Sequence, residues 1–265
     1  MKTPFVTYAV TAVLLSAVGA FRCGAATSSF FDNFDSGTDS GWTHLDPLAP
    51  FGAPATFSFP NGGYRVQASA SPDAANLGPG RAGSLRTDVN FPGLYEFSEL
   101  VAWNNTLNQS IGLLGRVTSP GFGTTKGYAF TYSTAGSINL SLIANDKLTT
   151  LASVPLTLDP TKSYGLEFDC IGTSLLGLVY QQGSGNSFAF VGAQDSTYAA
   201  GGTGFYLFSN VGNGTADATF DNYKALLNPI PEPRIATFLS LGVAVLLLVA
   251  IRRHKENESL RRRAN

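Results

Sequence analysis

Between an apolar N-terminal run and an apolar C-terminal run, large apolar residues alternate with small or polar ones at period two. Nowhere in that stretch do apolar residues recur three and four apart over three turns. Successive side chains of a strand point to opposite faces, so the pattern predicts half-buried strands and argues against a helical bundle. It is plain in Tyr128-Ala129-Phe130-Thr131-Tyr132, Ile138-Asn139-Leu140-Ser141-Leu142, Tyr164-Gly165-Leu166-Glu167-Phe168 and Leu176-Gly177-Leu178-Val179-Tyr180. Further strands are predicted at 56–59, 64–69, 84–91, 95–103, 111–117, 149–154, 187–192, 205–209 and 218–226. Turn signals such as Asn61-Gly62-Gly63, Ser119-Pro120-Gly121, Asp159-Pro160 and Gly201-Gly202 separate them. About a dozen short strands at this spacing predict one all-β antiparallel β-sandwich, a jelly roll, over residues 27–228. No repeat of fixed period is present, which argues against a propeller or solenoid.

The two ends read differently. Lys2, the apolar run from Phe5 to Phe21 and the small residues Gly24-Ala25-Ala26 predict a signal peptide over 1–26, and therefore export. Cys23 leaves with it, so Cys170 stands alone and no disulfide forms within the exported domain. Cys170 shares parity with Tyr164, Leu166 and Phe168, which makes it a core residue. After Asn228 a Pro-rich linker (229–234) ends the folded part, because Pro donates no backbone hydrogen bond. Residues 235–251 carry no charge over 17 positions. As a helix they rise about 26 Å, just enough for a hydrocarbon core of about 30 Å. Arg252, Arg253 and Lys255 open a basic tail (252–265), so the positive-inside bias puts this end in the cytoplasm. Charge is segregated to match: the whole chain is −1, whereas residues 27–228 hold 8 Lys and Arg against 15 Asp and Glu, a net of −7. A nucleic-acid partner, which needs a basic patch, is disfavoured.

Two resemblances follow. Pro231-Glu232-Pro233, the apolar span and the basic cluster at Arg252 and Arg253 resemble the PEP-CTERM sorting signal of bacterial exported proteins. That resemblance implies an exosortase partner, a membrane protease-transpeptidase that cuts near the motif and releases its substrate to the cell surface or extracellular matrix. A single-pass anchor that is never cut is the alternative the residues leave open. In the middle, Phe31-Asp32-Asn33-Phe34-Asp35 leading to Gly41-Trp42, the run from Lys162 to Phe168 with Gly172-Thr173-Ser174, and Ala218 to Tyr223 resemble concanavalin A-like (LamG-like) jelly rolls. In such domains the first and last strands lie side by side, which implies that Asp32, Asp35 and Asp221 converge.

Carboxylates on turns suit calcium, so Asp32, Asp35 and Asp221, with Asn33, Asp39 and Asn222 nearby, form a candidate structural Ca2+ site. The other reading is that these residues cap turns. Enzyme signals are few. His44 is the only histidine of 27–228 and reads as a loop residue, and no Gly-x-Ser-x-Gly elbow accompanies it. Glu96 and Glu99 lie three apart on a strand and point to opposite faces. Glu167 points away from the Tyr164 face and is read as having no acidic neighbour on its own side. The Glu-x-Asp-x-x-Glu pattern of jelly-roll glucanases is absent. Two aromatic residues are candidate sugar platforms: Trp42 in a Gly-rich loop and Trp103 beside Asn104-Asn105. The expectation is a non-catalytic module for adhesion or carbohydrate binding, with extracellular polysaccharide as partner. The alternatives are a glycan-active hydrolase or lyase, and a passive membrane-anchored coat protein.

Overall fold

The computed structural model describes residues 29–182 and 187–227. The segments expected as signal peptide (1–26), Pro231-Glu232-Pro233 linker, membrane span (235–251) and tail with Arg252 and Arg253 lie outside the described residues. Among the described residues no helix is long and apolar enough to cross a membrane.

Among the described residues fifteen strands follow in chain order: β1 (Ser29–Asp32), β2 (Thr43–Leu45), β3 (Thr56–Ser58), β4 (Tyr64–Ala68), β5 (Arg81–Arg86), β6 (Leu94–Trp103), β7 (Gln109–Thr118), β8 (Lys126–Ser133), β9 (Ser137–Ala144), β10 (Lys147–Pro155), β11 (Tyr164–Ile171), β12 (Ser174–Gln181), β13 (Ser187–Gln194), β14 (Gly202–Ser209) and β15 (Ala216–Leu227). One sheet has the order β13-β12-β11-β6-β15-β4-β3, with β1 beside the second half of β15. The other has the order β10-β9-β8-β7-β14-β5-β2. Both are antiparallel throughout, and they face each other as a jelly-roll sandwich. The expected pairing of first and last strands is present, with Ser29 opposite Leu226 and Asp32 opposite Tyr223.

Alternation decides the faces. In β6, Leu94, Glu96, Ser98 and Leu100 are buried while Tyr95, Phe97 and Glu99 are partly open. Two small elements lack that signal. β2 is three residues long, and a single helical turn, α1 (Ala74–Leu77), is set by Asp73, whose side chain accepts from the Asn76 amide. The strand expected over 84–91 runs instead over Arg81–Arg86. Arg81 starts it through a buried ion pair with Asp146, and beyond Arg86 the guanidinium turns back onto Asp88.

The core is a layer of rings. Tyr64 stacks on Phe34 at 4.9 Å, Trp42 on Phe205 at 5.1 Å and Phe205 on Phe220 at 4.3 Å, with Tyr223 edge-on to Trp42 at 4.8 Å. Cys170 is buried in the same core, as expected. Two charged residue types are buried with the rings. Arg116 donates to four carbonyls, those of Pro92, Cys170, Gly172 and Tyr198, and so ties three loops to β7. Glu96 lies wholly between the sheets, where the Tyr223 hydroxyl donates to its Oε1 at 2.8 Å and stands 3.1 Å from Thr203 Oγ1. Its Oε2 has no partner.

Burial raises the Glu96 carboxyl well above its ordinary range, against the smaller opposing pull of the neighbouring Thr203 and Tyr223 hydroxyls and Gly204 backbone. The folded state therefore holds this proton more tightly than the unfolded chain does. Its stabilising effect is complete below about pH 4.5 and is lost as pH rises towards the folded value. Glu96→Gln is expected to raise Tm more at pH 8 than at pH 5. Thermal unfolding at both pH values checks this, and an equal shift at the two would contradict it.

Candidate functional site

The outer face of the β6-β15-β4 region carries a cleft of about 610 Å³. Its lining comes from three adjacent strands and one loop. Arg65 on β4, Asp217, Thr219 and Asp221 on β15, and Val101, Ala102 and Trp103 on β6 meet there, with Pro60, Asn61, Gly63 and Asn104 at its borders. Strand parity explains the set: Arg65 opposes Thr219, and Thr219 opposes Ala102, so all three point outward while Ala218 and Phe220 enter the core. A bulge between these strands leaves Val101 without a partner in the ladder. The loop at 60–63 closes in because Gly63 has no side chain; a Cβ there would meet Thr219 Cγ2 at 2.9 Å.

Trp103 opposes Ala218 and so points inward, at the open end of the sandwich. Its ring is edge-on to Tyr132 at 6.0 Å and lies 6.1 Å from Tyr164, half-buried, so it closes the core and borders the cleft. Arg65 Nε and Nη2 donate to Asp217 Oδ1 and Oδ2 at 2.8 and 2.6 Å, a flat bidentate pair. Gln109, fully buried behind the strand, accepts from the Asp217 amide at 2.6 Å and donates to the Asn104 carbonyl at 2.7 Å. The polar side chains of this wall are thus held on hydrogen-bonded strands. Asp221 is raised by burial and by the charge of Asp35, against a 2.7 Å hydrogen bond from the Asn222 amide.

Of the expected sugar platforms, Trp103 borders the cleft and Trp42 does not. Trp42 is a core residue, stacked on Phe205 and in contact with Phe30, Phe34, Tyr64 and Tyr223. The loop around it is Gly-rich, but an indole flanked by strands gains far more from burial than from a loop position. The expected calcium ligands do not converge either. Asp32 points inward, accepting from Trp42 Nε1 and from the Phe34 amide, each at 2.9 Å. Asp35 accepts from Asn33 Nδ2 at 2.5 Å and lies near Asp221. Among the described residues no group of three His, Cys, Asp or Glu could hold a metal ion. The carboxylates present therefore do not fit the expected site.

His44 lies on β2 rather than in a loop, flat on Phe57 at 3.6 Å with its Nε2 2.5 Å from Asp39 Oδ2. Glu96 and Glu99 do take opposite faces. The reading of Glu167 needs correction: Asp169, two residues on, shares its face. Glu167 accepts from the Tyr95 hydroxyl at 3.0 Å, and Asp169 is pushed up to about 7, first by burial and then by Glu167. The parity that revealed the core side of β11 also carried this pair. The Arg65–Asp217 pair had no such signal, since 152 residues separate its members.

The class of protein these observations define is a two-sheet jelly-roll sandwich with an open cleft on one outer face. No family model and no curated protein matches the chain. Solved structures do. A carbohydrate-binding module, CBM66, of Bacillus subtilis is 16% identical, with a TM-score of 0.51 over 69% of this chain and 94% of that one. A GlcNAcα1-4Gal-releasing endo-β-galactosidase of Clostridium perfringens is 14% identical, with a TM-score of 0.53 over 78% and 64%. The Ca2+-bound exoplasmic/lumenal domain of VIP36 is 10% identical, with a TM-score of 0.52 over 77% and 92%. At these identities the likeness establishes the fold, the jelly-roll sandwich that the sequence led one to expect.

Because the Asp32 oxygens are engaged within the protein, chelation with EDTA is expected to leave the Tm of the chain unchanged. Thermal unfolding with and without chelator checks this; a lower Tm after chelation would show that a cation supports the fold.

Proposed function

We propose that the chain is a non-catalytic carbohydrate-binding sandwich, exported and held at the bacterial surface or in its extracellular matrix. The observation that carries the binding half is the cleft at Trp103, where an indole edge, a bidentate Arg65–Asp217 pair, Asn104 and Thr219 line about 610 Å³. Sugars present an apolar ring face and a rim of hydroxyls, and a site with an aromatic residue at its border and fixed donors and acceptors suits both. The likeness to a carbohydrate-binding module supports this reading.

The sorting half rests on Pro231-Glu232-Pro233, the uncharged run 235–251 and Arg252 with Arg253. An exosortase-type transpeptidase is the partner, with the membrane as the site of processing. β15 supports the combination. It runs from the cleft, whose last residue on this strand is Asp221, to Leu227, about 20 Å at strand spacing, and the chain continues from Leu227 towards the sorting motif. A chain anchored there presents the cleft away from its point of attachment. Mass spectrometry of the form recovered from the cell surface is expected to find a C-terminus near Pro233; recovery of the intact chain alone would favour the uncut anchor.

Retention of the full chain, in detergent, on insoluble polysaccharides and on extracellular polymer tests the binding half. Trp103→Ala is expected to weaken retention about tenfold or more, as loss of a central aromatic contact does, with the far-ultraviolet circular dichroism unchanged. Retention unaffected by Trp103→Ala would contradict the proposed site, and no retention on any polysaccharide would favour a passive coat. If the wild-type chain cuts the polysaccharide and Asp169→Asn does not, the glycan-hydrolase alternative stands instead.

A further inference from the structure

The charges of the cleft do not balance. Among the described residues Arg65 is the one cation that lines it, and its Nε and Nη2 are both engaged by Asp217. That pair is neutral as a unit, and an incoming sugar carboxylate finds this edge of the guanidinium already occupied. Asp221 lines the same cleft with no such partner: among the described residues no Lys or Arg nitrogen lies within 4.0 Å of its carboxylate. The groups that face it add to its charge. Asp35 approaches from the segment after β1, and Glu99 stands opposite Asp221 on β6, accepting from Gln182 Nε2 at 3.3 Å. Lys224 lies past the Asn222 bulge and forms no ion pair with Asp221.

A cleft with net negative charge and an aromatic border selects among sugars. A uronate or a sulfate ester meets like charge. A neutral sugar gains the apolar contact with Trp103 and hydrogen bonds alone. A sugar bearing an ammonium group gains in addition the field of Asp221. The carboxylates here are too dispersed to gather around one metal ion, but a polymer that carries one ammonium per residue presents positive charge at spaced points, as they do.

On this ground we infer that the cleft takes a glycan of amino sugars with free ammonium groups, a hexosamine polymer wholly or partly without N-acetylation. The inference rests on the carbohydrate-binding reading above and narrows it to one ligand class. Asp221 is the residue that distinguishes the free amine from its acetylated form; Trp103 serves both.

The test is isothermal titration of the full chain in detergent with hexamers of glucosamine, N-acetylglucosamine and galacturonic acid. The glucosamine hexamer is expected to bind about tenfold more tightly than the acetylated one, and the galacturonate hexamer not measurably. In Asp221→Asn the advantage of the free amine disappears, the glucosamine and N-acetylglucosamine hexamers then binding with equal affinity. Binding of the glucosamine hexamer to wild type strengthens as pH rises through the titration of Asp221, and that pH response is absent from Asp221→Asn. Equal affinity for the two hexosamine polymers, with both lost in Trp103→Ala, overturns the inference and leaves the carbohydrate reading standing. Binding of the glucosamine hexamer that survives both substitutions and is matched by a lysine hexapeptide overturns it as attraction to the acidic surface at large. No binding of any hexamer overturns both.

Discussion

The separation of the two sheets is set by one layer of rings. Tyr64 stacks on Phe34, and Trp42 on Phe205 and Phe205 on Phe220; Phe34 is tilted against Trp42 and joins the two stacks, and Tyr223 locks the layer edge-on. A buried indole must find a partner for its N–H, and Asp32 supplies it. That requirement turns Asp32 inward and pairs β1 with β15. It also removes Asp32 from any role at the surface. Beside the rings, Glu96 and Tyr223 of one sheet meet Thr203 of the other. A polar contact between otherwise apolar faces is satisfied in a single register, so it fixes how the sheets slide as well as how far apart they stand.

The cleft inherits its geometry from this arrangement. Phe220 enters the ring layer, and its neighbours Thr219 and Asp221 are therefore forced outward. The bulge at Asn222, with a φ of 48°, restores the inward direction for Tyr223. Behind the sheet, Gln109 holds the Asp217 backbone and the Asn104 carbonyl together. Cleft residues carried by β4, β6 and β15 move only if the core moves. Recognition by such a site depends on residues already in place rather than on loops that must order, which lowers the cost of binding.

The sheet content was legible because period-two alternation is a local property; β6, β11 and β12 appear at their expected places within a few residues. β2 was not, because three residues carry no period, and β5 was displaced because its start is decided by the contact of Arg81 with Asp146, 65 positions away. Trp103 was legible as a strand-end aromatic. Trp42, in a Gly-rich loop, reads as a platform too, and only its neighbours in space make it core. Asp169 could have been found by extending the parity of Glu167 by one step. Arg65 and Asp217 could not, since the register that joins β4 to β15 is specified by packing rather than by either segment alone.

The two tryptophans lie in different surroundings, Trp42 within the core and Trp103 at the border of the cleft. A Trp42→Phe chain that remains folded therefore reports from Trp103 alone. Titrating it with a soluble oligosaccharide while following its emission tests most directly whether this cleft is where sugar binds. The account predicts a saturable change in Trp103 emission with the same midpoint as binding measured by calorimetry. Calorimetric binding with unchanged Trp103 emission would place the sugar elsewhere on the sandwich and contradict it.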